Sequence, residues 1–496
     1  MGVIQRQGIK HIIVSYLGTV VGALAILFVY PRASEIYGLV QLLISVAGFF
    51  SPIVMLGTAF VSVRYFPVFQ NDKNGHNGFL GFILLLCFSG FAVYALSFPL
   101  YKDWLIRFFF EKQGLESYAR YINLVVPLTL LLLLTTLFTL YASNFQRIVV
   151  PALFEEFLIK VVLPLLILFY TWQELSVAGV VDGVLITYVV AVGGLLIYIF
   201  FLGQLHLKIN WKFLKKPLLK EMAEYGGFGI LSGMGIKGAF NLDTIMVAGL
   251  VDLKNTGIYA IALFMAEALG KPIRSLRNIS QPIIAKALNE NDTEEIKKIY
   301  QRSSIHLLIL GLLLFTGIWV CLDDVFSIMP NSDEMRTGKW VIFFLCMAKL
   351  VDLGTSVNNE IISYSQFYKF NLVTLIGLAV LNVLFNLWLI PQYQITGAAI
   401  ATFLSFLIFN ASKLIFIRIK FGILPFTAKT PLIFLAALLA YVAAFWIPDT
   451  GSHFLNILIK GSLVVAVFSS LVYVLKISPE LNKMAVEMWN RIFARK

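Results

Sequence analysis

Charge is scarce in this chain. Only 13% of its 496 residues are Asp, Glu, Lys or Arg, about half of what a soluble domain carries. A water-soluble globule is therefore excluded. Hydrophobic residues make up 59%, with a mean hydropathy of +0.85, so most of the chain must sit in lipid. Cysteine is also rare. Cys87, Cys321 and Cys346 lie in or beside apolar runs without metal-ligand spacing, which leaves no disulfide framework. The histidines His11, His76, His206, His306 and His453 fall near predicted helix ends and share no spacing, so no zinc pattern arises. A G-x-x-x-x-G-K-[ST] loop is missing, which argues against a nucleotide-driven pump. Without a catalytic constellation or a cofactor motif, the chain reads as a non-enzyme that needs no cofactor. A cleavable signal pattern is missing too, and the first apolar run reads as a retained span.

Long apolar runs are what the chain has instead. About fourteen segments, from 9–30 to 454–475, are long enough to cross a bilayer. The expected fold is an all-α polytopic membrane protein. With the N-terminus inside and sides alternating, most of the 39 Lys and Arg residues fall on one face. They are densest at 204–220 and 271–302. This positive-inside bias predicts that both termini are cytoplasmic. It also accounts for the net charge of +12 without nucleic-acid binding, since the lysines are scattered over several short loops. Segments 204–220 and 285–301 read as surface helices. The opposite face has only short loops, the longest being 100–119 and 322–338.

Parts of the text occur twice. Gly179-Val180-Val181 recurs as Gly397-Ala398-Ala399, and Phe145-Gln146-Arg147 as Phe367-Tyr368-Lys369. The helix-breaking Pro52 recurs as Pro272, near the turns Ile36-Tyr37-Gly38 and Gly257-Ile258-Tyr259. The common offset of about 220 residues suggests two duplicated halves, and many transporters place their substrate site between such halves. The expected division is a first lobe at 1–203 with six spans, a basic linker at 204–220, a second six-span lobe at 221–420, and an appendage of two helices with a basic tail at 421–496. Even numbers of spans give both lobes the same orientation.

Ionisable residues near mid-membrane should face a cavity or a partner. Lys160, Lys237 and Lys349 each fall more than two turns from the ends of their runs. Lys413 and Lys460 lie close enough to ends to snorkel. The intramembrane acids are Asp182, Asp243, Glu267, Asp352 and Glu360. Asp352 follows Lys349 by three residues, so that pair can neutralise itself. Alternatively, Lys349, Asp352, Ser356, Asn359 and Ser363 form one polar helix stripe along a water-filled cavity. Lys237 has Asn241 on its face but no acid three or four residues away. It is the leading anion-binding candidate, with an ion pair to Glu267 or Asp243 as the alternative. Asn358, Asn359, Asn382, Asn386 and Asn410 offer amides for sugar hydroxyls or for interhelical bonds of about 1 kcal/mol each.

The turn from Pro31 to Gly38, the phrases Asn241-Leu242-Asp243-Thr244 and Thr256-Gly257-Ile258-Tyr259-Ala260, Pro282, and Gly397 to Ala401 together resemble motifs of the multidrug/oligosaccharidyl-lipid/polysaccharide exporter superfamily. The chain resembles its polysaccharide branch, the O-antigen type of flippase. That resemblance implies export of a polyprenyl-pyrophosphate-linked oligosaccharide from the inner to the outer leaflet of a bacterial cytoplasmic membrane. Lipid II flippases use cavity arginines, whereas Ala262 to Ala268 contains none. The cationic role then falls to Lys237, Lys160 and Lys349, or to Arg64, Arg274 and Arg277 at the cytoplasmic mouth. Asn241, Asn359 and Asn382 would add hydrogen bonds. Asp243, Glu267 or Asp352 would bind H⁺ or Na⁺ for the return, and the last two helices would border a groove for the lipid tail. Export of an anion is favoured by about 2.3 kcal/mol per charge per 100 mV. Expected partners are the lipid-linked oligosaccharide, membrane lipid, and a glycan polymerase or glycosyltransferases. The alternatives are a cation-coupled multidrug antiporter, a membrane sugar polymerase or ligase, which the short outer loops disfavour, and a scaffold.

Overall fold

The computed structural model describes residues 3–111, 114–233, 236–483 and 486–487, and every regular element among them is helical. Lipid offers backbone groups no partner, so a spanning segment must satisfy its own hydrogen bonds as a helix. Among the described residues, eight helices are long and apolar enough to cross a membrane, or nine if the bent pair Ser332–Thr355 and Asn358–Tyr364 is one span. The protein is a multi-pass membrane protein. The expected runs 370–390 and 394–417 form the single element Tyr368–Phe421, interrupted where Gln394 takes φ 51° and ψ −133°. Asn382 Nδ2 donates to Thr402 Oγ1 at 3.2 Å. Twenty residues of straight helix would span about 30 Å, so the chain reverses at Gln394. Gln173, before the first copy of the repeated glycine phrase, also has a positive φ of 64°.

The first compact unit comprises Met1–Ile261 with Ile390–Ile395. Its central helix is Ser34–Val54, which packs against Val125–Ser143 and Ile236–Leu250. Val125–Ser143 packs in turn against Val177–Phe201, which also receives Leu158–Thr171. The two repeated turn phrases meet here. A Cβ on Gly38 would lie 1.8 Å from the Leu253 carbonyl oxygen, and one on Gly257 would lie 2.0 Å from that of Ser34. Only glycine permits such an approach of two backbones. Pro52 sits inside Ser34–Val54 near its end, where Leu56 (φ 51°) and Gly57 (φ 71°) break the helix. Pro272, by contrast, lies within the 37-residue helix Leu253–Asn289, so it does not end its helix.

The second unit comprises Ala262–Leu389 with Thr396–Lys496. Its hub is Thr293–Ile328, which packs against Lys339–Thr355, Thr430–Phe445 and His453–Val474. The two appended helices thus share this hub. Residues 285–301 are not a separate surface helix. They are the end of Leu253–Asn289 and the start of Thr293–Ile328, joined at Asn291 (φ 56°) and capped where Asp292 Oδ1 accepts from the Glu295 N–H at 2.9 Å. Ile296 is buried there with Ile284, Tyr300, Ile361 and Ile417. The linker also departs from expectation, because 204–210 is non-helical and the next helix begins at Lys216.

Candidate functional site

The second unit buries a cluster of four charges. Lys339–Thr355 ends where Ser356 takes φ 53° and ψ −111°, and Asn358–Tyr364 continues at a bend of 51°. The break turns Asp352 and Glu360 toward the same guanidinium. Arg277, on Leu253–Asn289, has Nη2 3.4 Å from Asp352 Oδ1 and 3.2 Å from the Ser356 carbonyl oxygen. Its Nε lies 3.4 Å from Glu360 Oε1. Side-chain exposures are 18% for Arg277, 15% for Asp352 and 5% for Glu360. Among the described residues, Glu360 Oε2 has no hydrogen-bond partner.

Lys413 is the fourth member. It is fully buried, donates from Nζ to Asn359 Oδ1 at 2.9 Å, and sits 3.8 Å from the Phe409 ring centroid. It does not snorkel. The interfacial role passes to the exposed Arg418 and Lys420 on the same helix. Neutral groups brace the bend. Asn410 Oδ1 accepts from Thr355 Oγ1 at 2.8 Å and from Asn358 Nδ2 at 3.0 Å. Ser356 bonds Ser303 at 2.6 Å.

The expected polar stripe therefore does not run as one helix face. The bend at Ser356 divides it, and Ser363 is taken up by Asn371 Nδ2 at 2.6 Å. Asp352 pairs with Arg277, while Lys349 faces Gly270 on the neighbouring helix. Asn382 is fully buried between Thr402 and Asn386. Glu267 is exposed.

In the first unit, Lys160 lies 3.8 Å from Glu156. Asp243 is buried and accepts from the Tyr259 hydroxyl at 3.0 Å. Asn241 faces Gly48. Arg64 stacks over Tyr225 at 4.2 Å. Lys237 and Arg274 lie in helices, but their side chains fall outside the described residues.

A second polar knot was not anticipated. Asp324, at one end of Thr293–Ile328, binds Lys460 Nζ at 2.6 Å, His453 Nδ1 at 2.9 Å and Asn456 Nδ2 at 3.1 Å. It fixes the last helix to the hub. No local spacing could reveal it, because Asp324 and Lys460 are 136 residues apart. Lys460 is held in this ion pair rather than snorkelling.

The MatE family model matches residues 230–388, which include Arg277, Asp352 and Glu360. A probable low-salt glycan biosynthesis flippase, Agl15 of Haloferax volcanii, is 24% identical over 204 residues. That match spans 39% of this chain and only 41% of the relative's length. A structure of the lipid II flippase MurJ, in an inward closed conformation, superposes with a TM-score of 0.69. It covers 95% of this chain and all of that one, at 14% identity.

The chain has the fold of the multidrug/oligosaccharidyl-lipid/polysaccharide exporter superfamily. An inward-facing MATE-family multidrug resistance transporter of this superfamily is also similar, at a TM-score of 0.65 and 12% identity over 82% of this chain and 94% of that one. A superfamily transporter from Pyrococcus furiosus follows at 0.53 and 13% identity, over 85% and 95%.

Proposed function

We propose that this chain is a flippase that moves a polyprenyl-pyrophosphate-linked oligosaccharide from the inner to the outer leaflet of a bacterial cytoplasmic membrane by alternating access. The observation that carries this reading is the quartet Arg277, Lys413, Asp352 and Glu360 on membrane helices. Buried ions in lipid are costly and mark substrate or ion paths. The quartet is neutral when both acids are ionised. Protonation at Glu360 Oε2 leaves it at +1, so Arg277 can turn from the carboxylates to a phosphate oxygen. Loss of the proton restores the internal pairs and releases the anion. In this scheme H⁺ is the coupling ion. Na⁺ at Asp352, and further acidic sites at Asp243 and Glu267, are the alternatives.

Lys237, Lys160 and Lys349, with Asn241, Asn359 and Asn382, extend the polar path for the headgroup. Arg64 and Arg274 make the first cytoplasmic contact. The lobes 1–203 and 221–420 rock about the linker 204–220, both termini stay cytoplasmic, and the last two helices border the lipid tail. Likeness to a lipid II flippase over nearly the whole chain and a partial match to a glycan flippase support the substrate class. A glycan polymerase or glycosyltransferases would work beside it, and no enzymatic step is assigned to the chain.

The test is translocation of lipid-linked oligosaccharide by protein reconstituted in vesicles. Glu360→Gln should slow transport about tenfold, equal to about 1.4 kcal/mol of barrier, and remove its response to a pH gradient. An unchanged gradient response in a folded Glu360→Gln protein would remove the quartet from coupling.

The MatE match at 230–388 and the MATE structural likeness favour one second reading, a cation-coupled multidrug antiporter. Protection of a drug-sensitive host, without translocation of lipid-linked glycan, would select it.

A further inference from the structure

We infer that the clasp between residues 71–78 and 204–212 binds the phosphate-bearing headgroup of an anionic membrane lipid. The apolar helix Val177–Phe201 ends at Gly203 (φ 69°), and the chain then runs non-helical to Asn210. This stretch is pinned along its length. The Tyr141 hydroxyl donates to the Gln204 carbonyl at 3.0 Å, and Gln204 Oε1 bonds His76 Nε2 at 2.5 Å. The Asn210 N–H donates to the Asn77 carbonyl at 3.3 Å, and Asn210 Nδ2 to Asn77 Oδ1 at 3.2 Å.

The loop that receives it is unusual. Gly75, His76, Asn77 and Gly78 all have positive φ, at 54°, 51°, 52° and 70°. The two that are not glycine are His76 and Asn77, among the types that tolerate that conformation best after glycine. At Gly78 the loop backbone meets the linker so closely that a Cβ would lie 2.0 Å from the Lys208 carbonyl oxygen. The loop thus forms a pedestal for the linker.

Together the two segments border an open hollow of about 780 Å³, lined in part by Asn74, His206, Lys208, Asn210, Trp211 and Lys212. Its lining holds two lysines and no carboxylate. The neighbouring acid, Asp72, lies 3.7 Å from His76 and is otherwise open to solvent. The lysines share the cavity with Leu207 and Trp211, which are 54% and 64% exposed. Exposed tryptophan and leucine beside lysine, at the end of a spanning helix, suit the boundary between hydrocarbon and headgroups. A soluble anion would use the lysines but not the apolar pair, whereas a phospholipid uses both. Neither segment belongs to the quartet, so this site stands or falls apart from the flippase reading.

The test is hydrogen exchange of residues 204–212, read by mass spectrometry in nanodiscs. Discs of phosphatidylcholine are compared with discs that also contain phosphatidylglycerol. Phosphatidylglycerol should slow exchange of this segment about tenfold. Lys208→Ala with Lys212→Ala should abolish the slowing, and the two Lys→Arg replacements should keep it, with the melting temperature unchanged in both. Equal exchange in the two kinds of disc would overturn the assignment. So would equal slowing by inorganic phosphate in phosphatidylcholine discs, which would make the ligand a free anion.

Discussion

In the first unit two backbones approach closely, where Gly38 and Gly257 face each other's neighbouring carbonyls. In the second, charge meets charge, where Arg277 faces Asp352 and Glu360 with Lys413 beside them. The two arrangements respond differently to chemistry. A glycine contact contains nothing that titrates, so pH and a passing anion leave it unchanged. A buried quartet alters its net charge with one proton. The first unit is therefore suited to hold a fixed shape and the second to switch. Asp243 tests this division. It is a buried acid of the first unit, but it is held by the Tyr259 hydroxyl at 3.0 Å and sits close to the glycine contact.

The largest expected effect comes from removing the guanidinium. Arg277→Met leaves Asp352 and Glu360 buried without their shared cation, and breaking such a pair from one side costs about 3–5 kcal/mol. Thermal unfolding in detergent should show the loss. Adding Glu360→Gln to Arg277→Met should recover part of it, because the uncompensated charge goes too. A loss near zero for Arg277→Met would mean that water already screens the quartet, and the contrast between the units would vanish.

Gly38→Ala should have the next largest effect. The added methyl group meets the Leu253 carbonyl, and overpacking of this kind costs about 1–3 kcal/mol. Its loss should be the same at pH 5 and pH 8, because nothing in the glycine contact ionises. A pH-dependent loss at Gly38 would show that the first unit also carries a titrating element.

Much of this contrast could be read from the sequence, and the reason for the remainder is physical. The turns Ile36-Tyr37-Gly38 and Gly257-Ile258-Tyr259 stood out as a repeat, and the structure brings them together. The acid at 352 was legible because a charge in an apolar run is conspicuous. Its partner was not, because Asp352 has a lysine three residues away in sequence while its actual cation, Arg277, is 75 residues away. Spacing rules describe one helix at a time, and the bend at Ser356 violates the regular helix that the polar stripe assumed. Lys413 was set aside for lying near a helix end, although Arg418 and Lys420 further along already mark the interface. That signal was present in the sequence and outweighed by distance from the run's edge. The Asp324 knot had no comparable signal.

The smallest expected effect lies beyond the last span, at Glu480, and shows whether the switchable character of the second unit reaches its tail. Glu480 lies 3.2 Å from Arg302 Nε on the hub helix, and its Oε2 accepts from Ser478 Oγ at 3.2 Å. Its carboxyl is held below the usual range, first by its own backbone N–H, then by Ser478 and Arg302. A depressed carboxylate stabilises the folded state above its unfolded pKa of about 4.3, and that stabilisation disappears as pH falls through the lower folded value. The tail contact should therefore be complete at neutral pH and weaken only below about pH 4. The group is partly exposed, so the effect is confined to local opening. Hydrogen exchange of residues 476–483, taken relative to the intrinsic rate at each pH, should rise on acidification in the native chain and lose most of that rise in Glu480→Gln. An identical acid response in the two proteins would place the titrating group elsewhere and leave the tail attached by its other contacts, such as Ser478 with His306 and the Lys476 carbonyl with Lys429.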